Sequence, residues 1–392
     1  MAADVGDGAR SGPAGAAQED AADEWRTQRL QELRDAIDEA DARLVELLNE
    51  RMRHVVEVGR LKNGTGAPIY QPDREAQVLQ RVARANRAHG GPLPDAAVTA
   101  IFREVMSAGR ALQRPLRVAY LGPEGTFCEL AMLKQFGSGV QAHSCGSIDE
   151  AFHAAESGET DYAVVPVENS TEGGVSRSLD LLVNTPLFII AEVSVPVQLH
   201  LLARTADIGA VRRIYGIPIA MAQCLAWLDR HVPGIERVPV ASNGEAARRA
   251  SEDPSAAAVA GEQAAARYGL QTVAAFIQDE AGNRTRFVVL GRQAGGLPPR
   301  AGAAEEISYK TSLILSVANR AGAVHEMLSP LARHGVSMTR LESRPARTGA
   351  WEYLFFVDIE GHANQAPVAA ALDDLRRTCA FFRCLGSYPR AE

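Results

Sequence analysis

Arg34, Arg51, Lys62 and Arg74, with Glu75 beside the last, form the first group along this chain whose types and spacing suit chemistry. Arg51 and Lys62 are 11 residues apart. On a helix that is about three turns, about 16 Å, on nearly the same face. Two such long cations can converge on one small dianion, or they can simply coat a solvated helix face. Arg34 and Arg51 are 17 residues apart, about 25 Å along a helix and about 100° apart in direction. One straight helix cannot bring both to one small ligand. If they share a site, Arg34 comes from a second chain. A second group is small and hydroxyl-rich: Gly122-Pro123-Glu124-Gly125-Thr126-Phe127, and Val165 through Val175 with Glu168, Asn169, Ser170, Thr171 and Glu172. Such turns aim backbone N–H groups at carboxylates or phosphates, or cap the helices that follow.

The elements that must position these residues follow from periodicity. Leu30, Leu33, Ile37, Leu44, Leu48, Val55 and Val58 predict a helix over roughly 27–62. Asn63 to Gly66 stops it, a second helix starts near Pro72, and a third runs from about Pro94 to Gln113. Three helices make a thin core for this stretch, which therefore needs a partner chain. From Arg117 the pattern changes to buried strands, at 117–122, 161–167, 187–197, 199–203, 212–215, 256–260 and 286–291, with helical stretches between them. That alternation implies α/β layers with ligands at strand C-terminal ends. Gly295 to Ala304 is a linker by composition. The remainder reads strand, helix, strand, strand, helix, strand, a ferredoxin-like order.

Composition narrows the function. A chain of 392 residues predicts two or three domains, and 46% hydrophobic with 23% charged residues is ordinary for a globular protein. Residues 1–25 hold six acids and one base and are expected to be a disordered acidic tail. Residues 26–115 hold 15 bases against 12 acids, a small basic excess that suits an anionic ligand. A net charge of −7 with no polybasic block argues against nucleic acid. Apolar runs such as Pro186–Val193 are far shorter than the ~20 residues of a membrane helix. The first 25 residues carry no secretory signal pattern, and five cysteines with no C-x-x-C pair suggest reduced thiols. The expected location is cytoplasmic. No H-E-x-x-H or Cys/His cluster points to a metal.

Leu33 to Asp38, Leu48-Asn49-Glu50-Arg51, Val58 to Lys62, and Ile69 to Glu75 resemble the all-helical chorismate mutases over residues 29–113. The resemblance implies rearrangement of chorismate to prephenate in an intertwined dimer. Site residues would be Arg34, Arg51, Lys62, Arg74, Glu75 and Gln113, with Gln71 and Gly109 at substrate-binding positions. The reaction needs a held conformer and stabilised charge at the breaking ether oxygen, without a covalent catalyst. Arginines would clamp the carboxylates, Lys62 and Gln113 would donate to the ether oxygen, and Glu75 would accept from the ring hydroxyl.

Residues 116–292, through the two hydroxyl-rich turns and Asn283-Arg284-Thr285-Arg286-Phe287, resemble prephenate dehydratases. That family implies two α/β lobes like a periplasmic binding protein. Thr285 would meet the leaving hydroxide, and Thr126, Asn169, Ser170, Thr171, Gln223, Arg286 and Phe287 would bind substrate. Tyr215-Gly216-Ile217-Pro218-Ile219 stands where the family usually has Ser-His-Pro-Gln, and Cys128 replaces a hydroxyl residue. These departures keep open an alternative, a mutase with a degenerate dehydratase lobe used for amino-acid sensing. Residues 308–390 resemble the ACT domain, a ferredoxin-like α+β module. There Gly322, Ala323, Val324 and His325, with Glu342, Ser343, Arg344 and Pro345, would bind phenylalanine between subunits. The expected organisation is a tail (1–25), a mutase domain (26–115), a dehydratase domain (116–293), a linker (294–305) and an ACT domain (306–392). The expected assembly is a homo-oligomer, dimer or tetramer, with no metal or organic cofactor.

Overall fold

The computed structural model describes residues 13–62, 68–293, 307–318, 320–346 and 353–391. They fall into two units, Met1–Ala67 and Pro68–Glu392. The described part of the first unit is one helix, α1 (Pro13–Lys62). Residues 13–25 are therefore its opening turns and not the disordered tail expected over 1–25; residues 1–12 lie outside the described residues. The stretch has no apolar stripe, but it is rich in alanine, the strongest helix former. Low hydrophobicity thus concealed a helix. Further along, Leu30, Leu33, Ile37, Leu44, Leu48 and Val58 are each between 40% and 58% exposed in the single chain.

The second unit opens with α2 (Pro72–His89) and α3 (Asp95–Gln113), as expected. Gly90, at φ +67°, ends α2 in the left-handed region that glycine adopts without strain. Asn86 then bonds the Leu93 carbonyl at 2.9 Å and the Asp95 carboxylate at 2.8 Å, which fixes the turn into α3.

A two-lobed α/β body follows. The first lobe contains β1 (Arg117–Leu121), α4 (Phe127–Phe136), β2 (Gln141–Cys145), α5 (Ile148–Ser157), β3 (Tyr162–Asn169), β4 (Gly173–Gly174), α6 (Ser176–Leu182) and β5 (Phe188–Pro196). The second contains β6 (His200–Ala203), β7 (Arg213–Gly216), α7 (Pro218–Gln223), α8 (Leu225–His231), β8 (Glu236–Pro239), α9 (Asn243–Glu252), β9 (Ala256–Ala260), α10 (Glu262–Tyr268) and β10 (Gln271–Ala274). The chain then returns to the first sheet as β11 (Arg284–Gly291). The sheet orders are β2-β1-β3-β11-β5, with β4 on β3, and β10-β6-β9-β7-β8. Two crossings therefore join the lobes, and β11 runs antiparallel between β3 and β5.

Side chains of β11 alternate between two cores, as strand geometry requires. Phe287 and Val289 pack with Tyr120, Met132 and Phe136, on the α4 side. Val288 and Leu290 pack with Phe152 and Leu179 on the other side. That second core also includes Ile314, Phe356, Leu385 and Tyr388 of the last module.

The last module is β12 (Tyr309–Ser316), α11 (Ala323–Arg333), β13 (Met338–Pro345), β14 (Tyr353–Glu360), α12 (Ala366–Thr378) and β15 (Phe381–Pro389). Its antiparallel sheet runs β13-β14-β12-β15, and its element order is the ferredoxin-like one expected. Leu313, Leu315, Val357 and Ile359 face α11 and α12. The opposite sheet face is the one packed on the dehydratase-like lobe. The linker expected at 294–305 lies outside the described residues. Phe356 is 3% exposed and belongs to this shared core. Phe356→Ala should cost about 3–5 kcal/mol, read as a lower urea midpoint in a denaturation curve; an unchanged midpoint would deny the shared core.

Candidate functional site

A bonded polar arrangement sits where β3 and β11 meet. Their ladder pairs Thr285 with Asn169 on one rung and Arg286 with Glu168 on the next. Because alternate residues of a strand face opposite ways, the two rungs present different chemistry to opposite faces of the sheet.

On the first rung the Asn169 side-chain amide donates to Thr285 Oγ1 at 2.9 Å and to Asn283 Oδ1 at 2.8 Å. Its carbonyl oxygen accepts from the Thr171 and Glu172 N–H groups at 3.0 and 3.1 Å. The amide is thus oriented by four bonds, and it donates into the Thr285 oxygen, leaving the hydroxyl hydrogen to point elsewhere. Ser170 Oγ donates to Asn283 Oδ1 at 3.4 Å and accepts from the Arg284 N–H at 2.9 Å. Gln223, at the end of α7 in the second lobe, reaches Glu172 Oε1 at 3.5 Å. The structure therefore brings Asn169, Ser170, Thr171, Gln223 and Thr285 to one mouth between the lobes. It adds Asn283, 6% exposed, whose only sequence signal was its place two residues before Thr285.

Three expected substrate-binding residues are placed otherwise. The Thr126 hydroxyl caps α4, accepting from the Glu129 N–H at 3.4 Å, and donates to the Leu121 carbonyl at 3.2 Å. Phe287 is 1% exposed inside the core under α4. Arg286 points away from Thr285, toward the last module. It donates to Glu192 at 2.7 Å, to Asp358 at 2.6 Å and to the Tyr388 hydroxyl at 2.9 Å. Burial opposes the Asp358 charge, but Arg286, Ser312 and Arg340 outweigh it and hold the carboxyl below its ordinary range. Glu192 also takes Lys310 Nζ at 2.8 Å. Cys128 is buried in the core under α4, where desolvation pushes its thiol up to about 12; it fills space there. Ile217 precedes α7 without a side-chain cap and packs into the second lobe, and Ile219 is exposed.

The mutase-type residues divide between the units. Arg34, Arg51 and Lys62 lie on α1. Arg74 and Glu75 lie in the first turn of α2, with Gln71 just before it, and Gly109 and Gln113 lie on α3. The Gln71 carbonyl accepts from the Glu75 N–H at 3.0 Å. Sequence reasoning missed two residues here. Arg110 is 6% exposed; its guanidinium pairs with Glu75, donates to the Phe136 carbonyl and lies over the Tyr70 ring at 5.6 Å. Asp73 is 7% exposed and is hydrogen bonded by Tyr309 of β12, while burial raises its carboxyl pKa.

In the last module, Gly322 at φ +82° precedes α11, with Ala323 buried and Val324 and His325 exposed. The expected effector segment splits by strand alternation. Ser343 and Pro345 are exposed, whereas Glu342 and Arg344 face the dehydratase-like lobe. Arg344 pairs with Asp180 at 3.0 Å, and Glu342 presses on Gly174, where any side chain would collide with its carboxylate. Glu342 and Arg344 are thus already committed to contacts within the chain.

Family models match three consecutive segments: chorismate mutase type II over 33–114, prephenate dehydratase over 118–295 and the ACT domain over 311–377. Fold and site together therefore define a three-module protein of mutase, dehydratase and ACT type. The chain is 46% identical over 361 residues to the bifunctional chorismate mutase/prephenate dehydratase of Neisseria gonorrhoeae, covering 91% of this chain and 96% of that one. It is 41% identical over 369 residues to the protein of the same name from Pseudomonas aeruginosa, covering 93% and 98%. Among solved structures, prephenate dehydratase from Arthrobacter aurescens in complex with L-Phe aligns with a TM-score of 0.63 at 36% identity, covering 70% of this chain and 90% of that chain. GqqA, described as a novel type of quorum quenching acylase, aligns with a TM-score of 0.62 at 31% identity, covering 70% and 97%. The chain belongs to the bifunctional chorismate mutase/prephenate dehydratase family.

The Arg110–Glu75 pair yields a stability prediction. Arg110→Gln deprives Glu75 of this buried partner and should cost about 3–5 kcal/mol. Adding Glu75→Gln should recover much of that loss, because the carboxylate charge goes too. Chemical denaturation of the two single variants and the double variant checks this, and strictly additive losses would contradict it.

Proposed function

We propose that the chain rearranges chorismate to prephenate and then converts prephenate to phenylpyruvate, and that phenylalanine, bound by the last module, inhibits the second step. The observation that carries the dehydratase reading is the bonded set of Asn169, Asn283 and Thr285 at the mouth between the lobes. Prephenate must lose its ring carboxylate as CO₂ and its ring hydroxyl as water. The hydroxyl is a poor leaving group, so a donor must meet it. With Asn169 donating into its oxygen, the Thr285 hydroxyl can supply that hydrogen bond. Asn169, Ser170, Thr171 and Gln223 would hold the ring and carboxylates.

Two other readings are weaker. An acylase of the kind named for GqqA would need an activated nucleophile or water, and the partner of Thr285 is an amide, not a base. The degenerate-lobe reading is weaker because Gly216, Ile217 and Ile219 lie outside the bonded set of Asn169, Asn283 and Thr285.

For the mutase, Arg34, Arg51, Lys62, Arg74, Glu75 and Gln113 would act by electrostatic stabilisation and conformer selection. Arg34 and Arg51 lie on one continuous helix, about 25 Å apart by helical rise. This supports a mutase site shared by two copies. The exposed apolar stripe of α1 and the open edge of β13 support a homo-oligomer, dimer or tetramer. All five cysteines are free thiols, which supports work in a reducing compartment such as the cytoplasm. No described helix is long and apolar enough to cross a membrane.

Purified protein should form prephenate from chorismate and phenylpyruvate from prephenate. Thr285→Ala should lower the dehydratase rate by about 100-fold or more, the scale of losing a donor to developing charge, and spare the mutase rate. Thr285→Ser should retain more. Equal dehydratase rates for Thr285→Ala and the unaltered chain would exclude the donor role. Separately, Arg34→Ala and Arg51→Ala chains, each inactive as a mutase, should regain activity after joint unfolding and refolding. No recovery despite demonstrated chain exchange would refute the shared site.

A further inference from the structure

The rear rung of the β3/β11 ladder has no part in the chemistry described so far. Glu168 and Arg286 are the immediate neighbours of Asn169 and Thr285, and they face the last module. The Glu168 side chain is 35% exposed and stands between two guanidinium groups, Arg286 Nη1 at 3.4 Å and Arg340 Nε at 3.3 Å. The two cations are similarly buried, with side chains 14% and 11% exposed, but differ in their other partners. Arg286 is fixed by Glu192, Asp358 and Tyr388. Arg340 lies on β13, the edge strand of the last module's sheet, and pairs with Glu342 of the same strand. Next along β13, Glu342 rests on Gly174 and Arg344 holds Asp180. One edge strand therefore touches Glu168, Gly174 and Asp180. The first two flank the loop whose Asn169 amide holds Thr285.

We propose that Glu168 is a positioning residue for the Asn169–Thr285 rung and that Arg340 shares it, so that the effector state of β13 reaches the dehydratase site through the Arg340–Glu168 pair. This rests on the dehydratase reading above. A ligand shifts such an equilibrium only by its differential affinity for the two states. When phenylalanine favours a position of β13 in which Arg340 pulls Glu168 from its place beside Arg286, the rung loses its alignment. Asn169 turns with Glu168 because the two share one strand.

The test uses the full chain, with prephenate turnover measured at zero and saturating phenylalanine and phenylalanine binding measured by calorimetry. Glu168→Gln keeps the shape and removes the charge. It should lower kcat several-fold with little change in KM. It should bind phenylalanine within about two-fold of the unaltered chain, yet show at least about five-fold less inhibition. Arg340→Gln should lose inhibition to a similar extent, the double variant should lose no more than either single one, and Arg340→Lys should retain part of the response. Variants that bind phenylalanine and are inhibited as fully as the unaltered chain would overturn the proposal alone. So would independent, additive losses in the double variant. An unaltered chain that does not turn over prephenate would overturn the dehydratase reading and this proposal with it. If Glu168→Gln fails to fold, Arg340→Gln and Arg340→Lys carry the same comparison.

Discussion

The constraint on which the second unit depends is the two-residue alternation of one shared strand. β11 lies between β3 and β5, and its residues face two cores. Thr285 and Phe287 look one way, Arg286 and Val288 the other. The strand that carries the hydroxyl is therefore also the strand that anchors the last module. Arg286 makes this binding, because its guanidinium is held by Glu192 of the same lobe and by Asp358 and Tyr388 of the module behind it. Buried charges must be paired, and removing one member costs far more than replacing the set. The module is thus part of the wall of the dehydratase-like lobe, and its opposite sheet face remains for α11 and α12.

The same principle ties α2 and α3 to the lobes. Tyr70, 1% exposed, packs tilted against Phe136 and edge-on to Tyr162. Arg110 joins Glu75 to the Phe136 carbonyl at the end of α4. Asp73, two residues before Glu75, meets Tyr309 of the last module. The segment around Glu75 is thus packed against both the dehydratase-like lobe and the last module.

What the sequence disclosed follows from burial. β3, β5, β9 and β11 are covered on both faces, so they read as apolar runs. β2, β8 and β10 are short strands at sheet edges with several exposed residues, and they carry no such run. Residues 13–25 lack an apolar stripe, so their helicity went unread. In the site, Asn169, Ser170 and Thr285 were legible because each sits in a distinctive local segment. Arg286 and Phe287 were expected to bind substrate beside Thr285, but strand alternation sends Arg286 toward the last module and Phe287 into the core under α4. Asn283 stood in the segment that carries Thr285 without a role of its own, and Arg110, Glu192 and Asp358 went unread because their partners lie tens of residues away along the chain.

The central claim is that the effector module and the Asn169–Thr285 rung are coupled through the Arg340–Glu168 pair. Hydrogen–deuterium exchange on the full chain, with and without phenylalanine, addresses it without relying on turnover. The account predicts altered exchange at the backbone amides of residues 168–175 and 284–287 together with those of β13 and the start of α11. Changes confined to the last module, with the β3/β11 rungs exchanging as before, would contradict it.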